Sequence, residues 1–327
     1  MNTSRVRTLD ALRGLAAVAV VLFHFNQVRA RDHSLYDTLN AWGWLGVTVF
    51  FVLSGYCVQR ATAREPTARQ FLLRRFARIY PGYFASVIVV LVFCVARKFV
   101  SGLNDYIALP KTMSGWIATA TITTAPVSNT PPINWVYWSL SFELAFYLVL
   151  ALAVAWTRLR VALPLLLCAL ALFPPIVPAI FFLHYWGLFC LGIALALFRR
   201  TEWRGPALLA FLSLVVICRQ QIWLEVAAAI ATSAVIALAP QIDRMGGRAL
   251  RVLAELGGIS YALYLLHVPV GVWLVLRFAD AHGGRSGGLA LRLACDGLAL
   301  GVCLLAAALF HRWIEQPGIN WGRRVAA

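Results

Sequence analysis

Apolar runs of about twenty residues recur along the chain with little between them, and this limits the fold more than any other feature. Hydropathy marks ten such runs, roughly 9–28, 42–59, 82–101, 138–157, 161–177, 181–198, 206–218, 222–239, 256–276 and 289–310. A helix of ~20 residues spans the hydrocarbon core of a bilayer. Inside that core the backbone must satisfy its own polar groups, which leaves helices as the economical solution. The expectation is an all-α polytopic membrane protein of about ten transmembrane helices, forming one integral-membrane unit over 1–327 with no fused extracytoplasmic domain. Composition agrees: 61% hydrophobic and 13% charged residues, against ~45–50% and ~25% in soluble proteins. The first run contains His24 and no small-residue cleavage site follows it, so it reads as a retained anchor.

The net charge of +16 could suggest a nucleic-acid binder. The basic residues, however, fall in short loops and span edges. With a cytoplasmic N-terminus, 20 of the 29 Lys and Arg lie on the cytoplasmic side and nine on the other. That bias predicts both termini inside and leaves no charge for nucleic acid to explain. The seven cysteines all sit in apolar runs and none forms a C-x-x-C pair, so they read as small hydrophobic fillers. Neither a metal site nor a disulfide framework is expected.

Ionisable residues inside apolar runs are expensive and need a reason. In "LDALRGLAAVAVVLFHF", Arg13 and His24 are eleven positions apart, close to three helical turns. They therefore share one helix face, ~16 Å apart along the axis. Arg74, Arg75 and Arg78 add an R-R-x-x-R cluster on the cytoplasmic side, in a stretch over 67–80 that reads as a basic amphipathic helix. Phe71, Leu72, Phe76 and Ile79 would dip into lipid, and Pro81 would end the helix before the third span. Topology and lipid headgroups are the plainer account of any one of these arginines, but the cluster exceeds what topology needs and suits a multi-phosphate ligand.

His24 could be a satisfied core histidine. Its alignment with Arg13 favours a general base instead. Glu143, in "WVYWSLSFELAFYL", lies about five residues inside the fourth run, at a depth resembling that of His24. It is expected to orient the imidazole, with a helix–helix polar contact as the alternative. Ser54 and Gly55 of "FFVLSGY" are small enough to let a thin ligand chain pass or two helices pack closely. Trp138, Asp296 and His267 are candidates for the acceptor side; Glu225 and His184 are weaker ones. The loop over about 102–137 is long enough to be functional and is expected to be ordered over the outer surface.

Taken in order, R-x10-H at Arg13 and His24, "FFVLSGY", "RRFARIYP" at 74–81, "WSLSFELAFYL" from Trp138, "GISYALYLLHVPV" from Gly258 and "IEQP" at 314–317 make the chain resemble the membrane-bound acyltransferase 3 family. The resemblance runs the length of the chain. It differs at Gln316, where a basic residue is common. It implies an acyl-coenzyme A donor on the cytoplasmic side, acetyl-coenzyme A above others, and a sugar hydroxyl of an envelope or exported glycoconjugate as acceptor, in the bacterial cytoplasmic membrane. It implies donor-binding roles for Arg13, Arg75 and Arg78, and catalysis by His24, either as a base or through an acyl-histidine. Glu143 is the motif glutamate. The competing reading is a proton-coupled transporter or flippase for a glycan, which buried His, Glu and Asp would also suit. Against it, no Gly/Pro-broken span recurs in two halves.

Overall fold

A computed structural model describes residues 6–27, 34–62, 67–101, 109–156, 159–173, 178–198, 202–281 and 288–326. Among them every regular element is helical. The α-helices are α1 Arg7–Asn26, α2 Leu35–Asn40, α3 Gly46–Thr62, α4 Ala68–Ser101, α5 Met113–Ala120, α6 Trp138–Ala155, α7 Leu159–Leu170, α8 Trp186–Leu197, α9 Arg204–Gln220, α10 Trp223–Met245, α11 Arg248–Leu266, α12 Arg277–Ala281, α13 Leu289–Phe310 and α14 Gln316–Val325. Every apolar run of the sequence has a helix. Among the described residues eight helices, some extended by a short 3-10 or π segment, are long and apolar enough to cross a membrane. The runs over 161–177 and 206–218 give the shorter α7, with Pro164 inside it, and the 17-residue α9.

Helix α1 is the centre of the bundle. It packs most extensively against α11 and also meets α3, α10 and α13. The α1–α11 crossing is close because Gly14 and Gly257 face across it: a Cβ on Gly257 would sit 2.1 Å from the Asp10 carbonyl. The start of α1 has no side-chain cap of its own. Instead Asp243 of α10 accepts from the amides of Arg7 and Thr8, at 3.1 and 2.8 Å, satisfying donors that would otherwise be orphaned. These two fixtures set the depth and rotation of the helix that carries Arg13 and His24.

Helix α4 departs from the sequence expectation. It runs unbroken through Pro81. Proline withdraws the amide that would bond the Ala77 carbonyl, and neighbours cover the defect. Gly318 of α14 lies against Ala77 and Pro81, and Tyr261 donates to the Ile79 carbonyl at 2.9 Å. The apolar face assigned to lipid is turned inward: Phe71 is 0% and Ile79 2% exposed. A continuous α4 therefore carries its arginines into the bundle rather than along a membrane surface.

Of the loop over 102–137, residues 102–108 lie outside the described residues. The rest is ordered but not a cover lying on the surface. Ile133, Asn134 and Val136 are buried, and the loop enters the bundle through a 3-10 turn, Trp135–Tyr137, that leads into α6.

Candidate functional site

Two cavities lie along α1. The inner one, about 270 Å³, is lined by Arg13 of α1, Ser54 and Cys57 of α3, Arg75 and Arg78 of α4, and Glu143 of α6, among others. The outer one, about 920 Å³, is lined by His24, Trp44, Trp135, Trp138, Gln221 and Glu225, among others. Val47 and Tyr264 line both, so the two spaces share one wall.

Four of the five residues expected to bind a donor line the inner cavity together. Arg13 is held by Asp10 at 3.6 Å and reaches Cys57 Sγ at 3.6 Å. The Arg75 guanidinium stacks over Phe71 and Tyr147, 5.5 and 5.8 Å from the ring centroids, and its Nε is buried without a hydrogen-bond partner among the described residues. Arg78 is in the field of the Glu143 and Glu315 carboxylates. Gly55 is the exception. Its Cβ position points at the Phe189 carbonyl of α8, 2.0 Å away, so the missing side chain lets α3 and α8 pack closely and opens no path for a ligand.

Glu143 belongs to this inner cavity as well. The Tyr147 hydroxyl, one turn on, donates to Glu143 Oε1. The predicted Glu143–His24 pair is replaced by another. His24 Nδ1 lies 3.0 Å from the Val20 carbonyl and 3.0 Å from Nε2 of His267. His267 is fully buried and does not line the outer cavity.

Backbone carbonyls fix both tautomers: the Val20 carbonyl holds the proton of His24 on Nδ1. His267 Nδ1 lies 2.8 Å from the Tyr264 carbonyl and 3.3 Å from the Leu263 carbonyl. Carbonyls only accept, so that nitrogen carries the proton. With both rings neutral, His267 Nε2 is then an acceptor, and the proton between the rings belongs to His24 Nδ1. His24 Nε2 is left with a bare lone pair on a residue that lines the outer cavity.

The motif "LLHVPV" explains why His267 can do this. Helix α11 gives way at His267 to a π segment, His267–Leu276, a wider turn of a kind often found at functional sites. Pro269 cannot donate to the Leu265 carbonyl, which accepts from Asn134 Nδ2 at 3.3 Å instead. Tyr264 donates to the Val136 carbonyl at 2.8 Å. These two bonds pin the turn before α6 to α11. They bring the Trp135 ring to 6.4 Å from His24 and set Trp138 in the outer wall, where the sequence reading put it. Asp296 is elsewhere: it accepts from Tyr36 at 2.8 Å and Asn26 at 3.2 Å, beside a buried Arg292–Asp37 pair.

The arrangement has cations at one end and a bare imidazole nitrogen at the other. The model of the acyltransferase 3 family, described as an acyltransferase domain, matches residues 6–311, and the chain belongs to that family. It is 27% identical to the acyltransferase MdmB of Streptomyces mycarofaciens over 98% of this chain and 93% of the relative. It is 33% identical to the peptidoglycan O-acetyltransferase OatA of Listeria monocytogenes over 28% of this chain and 14% of the relative. The O-acetyltransferase OatA of Staphylococcus aureus matches at 28% over 45% of this chain and 24% of the relative. No solved structure matches significantly.

Proposed function

We propose that this membrane acyltransferase moves an acyl group, acetyl in the simplest case, from cytoplasmic acyl-coenzyme A to a hydroxyl of an envelope or exported polysaccharide or glycoconjugate. Its setting would be the bacterial cytoplasmic membrane, with both termini inside, as the distribution of basic residues favours. The observation that carries this reading is the pair of cavities meeting at Val47 and Tyr264, arginines lining one and His24 the other.

The inner cavity suits the donor. Arg13, Arg75 and Arg78 offer guanidinium forks to phosphate oxygens, and the Nε of Arg75, unpartnered among the described residues, fits an anionic ligand. A narrow space of about 270 Å³ suits a thin pantetheine arm. The donor contributes a thioester carbonyl and a good leaving group. The chain does the rest. Val47 and Tyr264 bound the place where thioester and acceptor meet. His24 Nε2 takes the proton of the acceptor hydroxyl as its oxygen attacks the thioester carbon. The C–S bond breaks, and the imidazolium returns the proton to the departing thiolate. The Val20 carbonyl keeps His24 in the tautomer this needs, and His267, held by the Tyr264 carbonyl, accepts from the same N–H. General-base assistance of this kind is worth ~10²–10⁴-fold.

The test is thiol release from acetyl-coenzyme A by the purified protein, with and without an envelope glycan extract. Acceptor-dependent release that His24→Ala abolishes, with donor binding retained, supports the reading. Transfer at the wild-type rate by His24→Ala rules out the mechanism. Proton-coupled uptake of glycan without acyl transfer would support the carrier instead.

A further inference from the structure

The wall of the outer cavity has a definite chemistry. Three tryptophans, Trp44, Trp135 and Trp138, contribute to it. Among its described lining residues Glu225 is the one acid, and Lys and Arg do not occur; Arg219, next to Gln220, is exposed and outside the lining. Glu225 is buried. Its carboxylate accepts a long bond, 3.4 Å, from Thr48 and one from the backbone amide of Ile222 at the start of α10, and no ion pair to it occurs among the described residues. Of the three lining glutamines, Gln220 donates to the Ala171 carbonyl and Gln221 to the His184 carbonyl at 2.7 Å. Each of these amides keeps a second N–H beside its carbonyl oxygen. His24 adds a lone pair. The space thus offers aromatic faces, polar side chains, two imidazoles and one carboxylate, without Lys or Arg among its described lining residues, in contrast to the arginine-lined cavity behind it.

Aromatic faces beside a carboxylate attract ammonium groups through ring quadrupole and charge together. An acidic ligand would meet Glu225 with no Lys or Arg among the described lining residues to offset it, which is how a site rejects the wrong partner. We propose that Glu225 makes the outer cavity selective for acceptors that carry a protonated amine near the acylated hydroxyl, as amino sugars do. The inference rests on the reading of this cavity as the acceptor site. Glu225 is then the specificity-determining residue, taking the ammonium while His24 takes the hydroxyl proton.

Binding tests the proposal without any turnover. The probes are methyl β-glucosaminide, methyl β-glucoside and methyl β-glucuronide, three pyranosides carrying respectively an ammonium group, no charge and a carboxylate. Their dissociation constants for the purified full-length protein are read by ligand-observed NMR in the absence of acyl-coenzyme A. The ammonium probe is expected to bind at least ~10-fold more tightly than the neutral one, and the carboxylate probe most weakly. Glu225→Gln should bring the first ratio close to one, and Glu225→Asp, which keeps the charge, should restore part of it. Equal binding of the three probes overturns the proposal. So does tightest binding of the carboxylate probe, a ratio that survives Glu225→Gln, or no binding of the ammonium probe at millimolar concentration. Failure of the acyltransfer reading is scored separately, by thiol release, and selective binding without it would leave an amine-selective cavity in a protein of another activity.

Discussion

His267 does not line the outer cavity, yet it shares the Nδ1 proton of His24 with the Val20 carbonyl. Its protonated Nδ1 is spent on the Tyr264 carbonyl, so its Nε2 can only accept, and His24 must donate to it. His267→Ala is expected to lower kcat to a level between wild type and His24→Ala, with the donor KM unchanged. His267→Gln, whose side chain can still accept a hydrogen bond, should recover part of the loss; a fall in stability alone would not separate the two variants in kcat per folded molecule. Arg75 should behave in the opposite way. Losing charge-assisted bonds of ~1.5–3 kcal/mol, Arg75→Ala should raise the donor KM by about 10–100-fold and change kcat little, as steady-state kinetics would show. Much of this site is legible in the sequence, since the eleven-residue spacing fixes Arg13 and His24 on one face whatever surrounds them. The partner of His24 is not. Depth along a span can be counted from its ends, but rotation and lateral position cannot, and Glu143 faces Tyr147 and the inner cavity with its arginines rather than His24.

At the scale of elements, the misplacement of Glu143 and the misreading of α4 have one physical origin. A helix broken at Pro81 would lay Arg75 and Arg78 along the membrane surface, out of reach of a glutamate inside the fourth apolar run. The unbroken helix carries them inward to it, and what permits this is supplied from distant sequence: Gly318 against the proline ring and the Tyr261 hydroxyl on the Ile79 carbonyl. Local sequence cannot announce such remote support, whereas the apolar runs announce their helices directly because length and hydropathy are properties of the segment itself. Gly55 shows the same limit, since smallness alone does not say whether a ligand or a helix takes the space. With the Phe189 carbonyl 2.0 Å from its Cβ position, Gly55→Val should force α3 from α8 and cost the ~1–3 kcal/mol typical of overpacking, or more. The expected outcome is a lower thermal midpoint in detergent and less folded protein. The protein that does fold should keep a near-normal donor KM; a KM defect with unchanged stability would instead return Gly55 to the donor path.

For the molecule as a whole, the consequential feature is that the two cavities back onto one shared wall rather than merge. Donor and acceptor arrive from opposite sides of the membrane in the proposed reaction, and a bundle open along its full length would leak protons and solutes between them. The structure instead separates a space of about 270 Å³ from one of about 920 Å³ by a wall to which both Val47 and Tyr264 contribute. Tyr264 is fixed there by its bonds to Val136 and Ser139, so Val47, partly exposed and without polar partners, is the member whose size can be changed with least disturbance. Val47→Trp should fill the junction. Coenzyme A binding, set by the arginines, and acceptor binding, set by the outer wall, should each persist within a few-fold in equilibrium titrations, while acyl transfer falls by at least ~10²-fold because the reacting atoms are no longer within near-attack distance. Val47→Ala should keep transfer and raise acceptor-independent hydrolysis of the thioester, since a wider junction admits water. If Val47→Trp transfers at the wild-type rate, the acyl group travels by some route other than the wall the two cavities share.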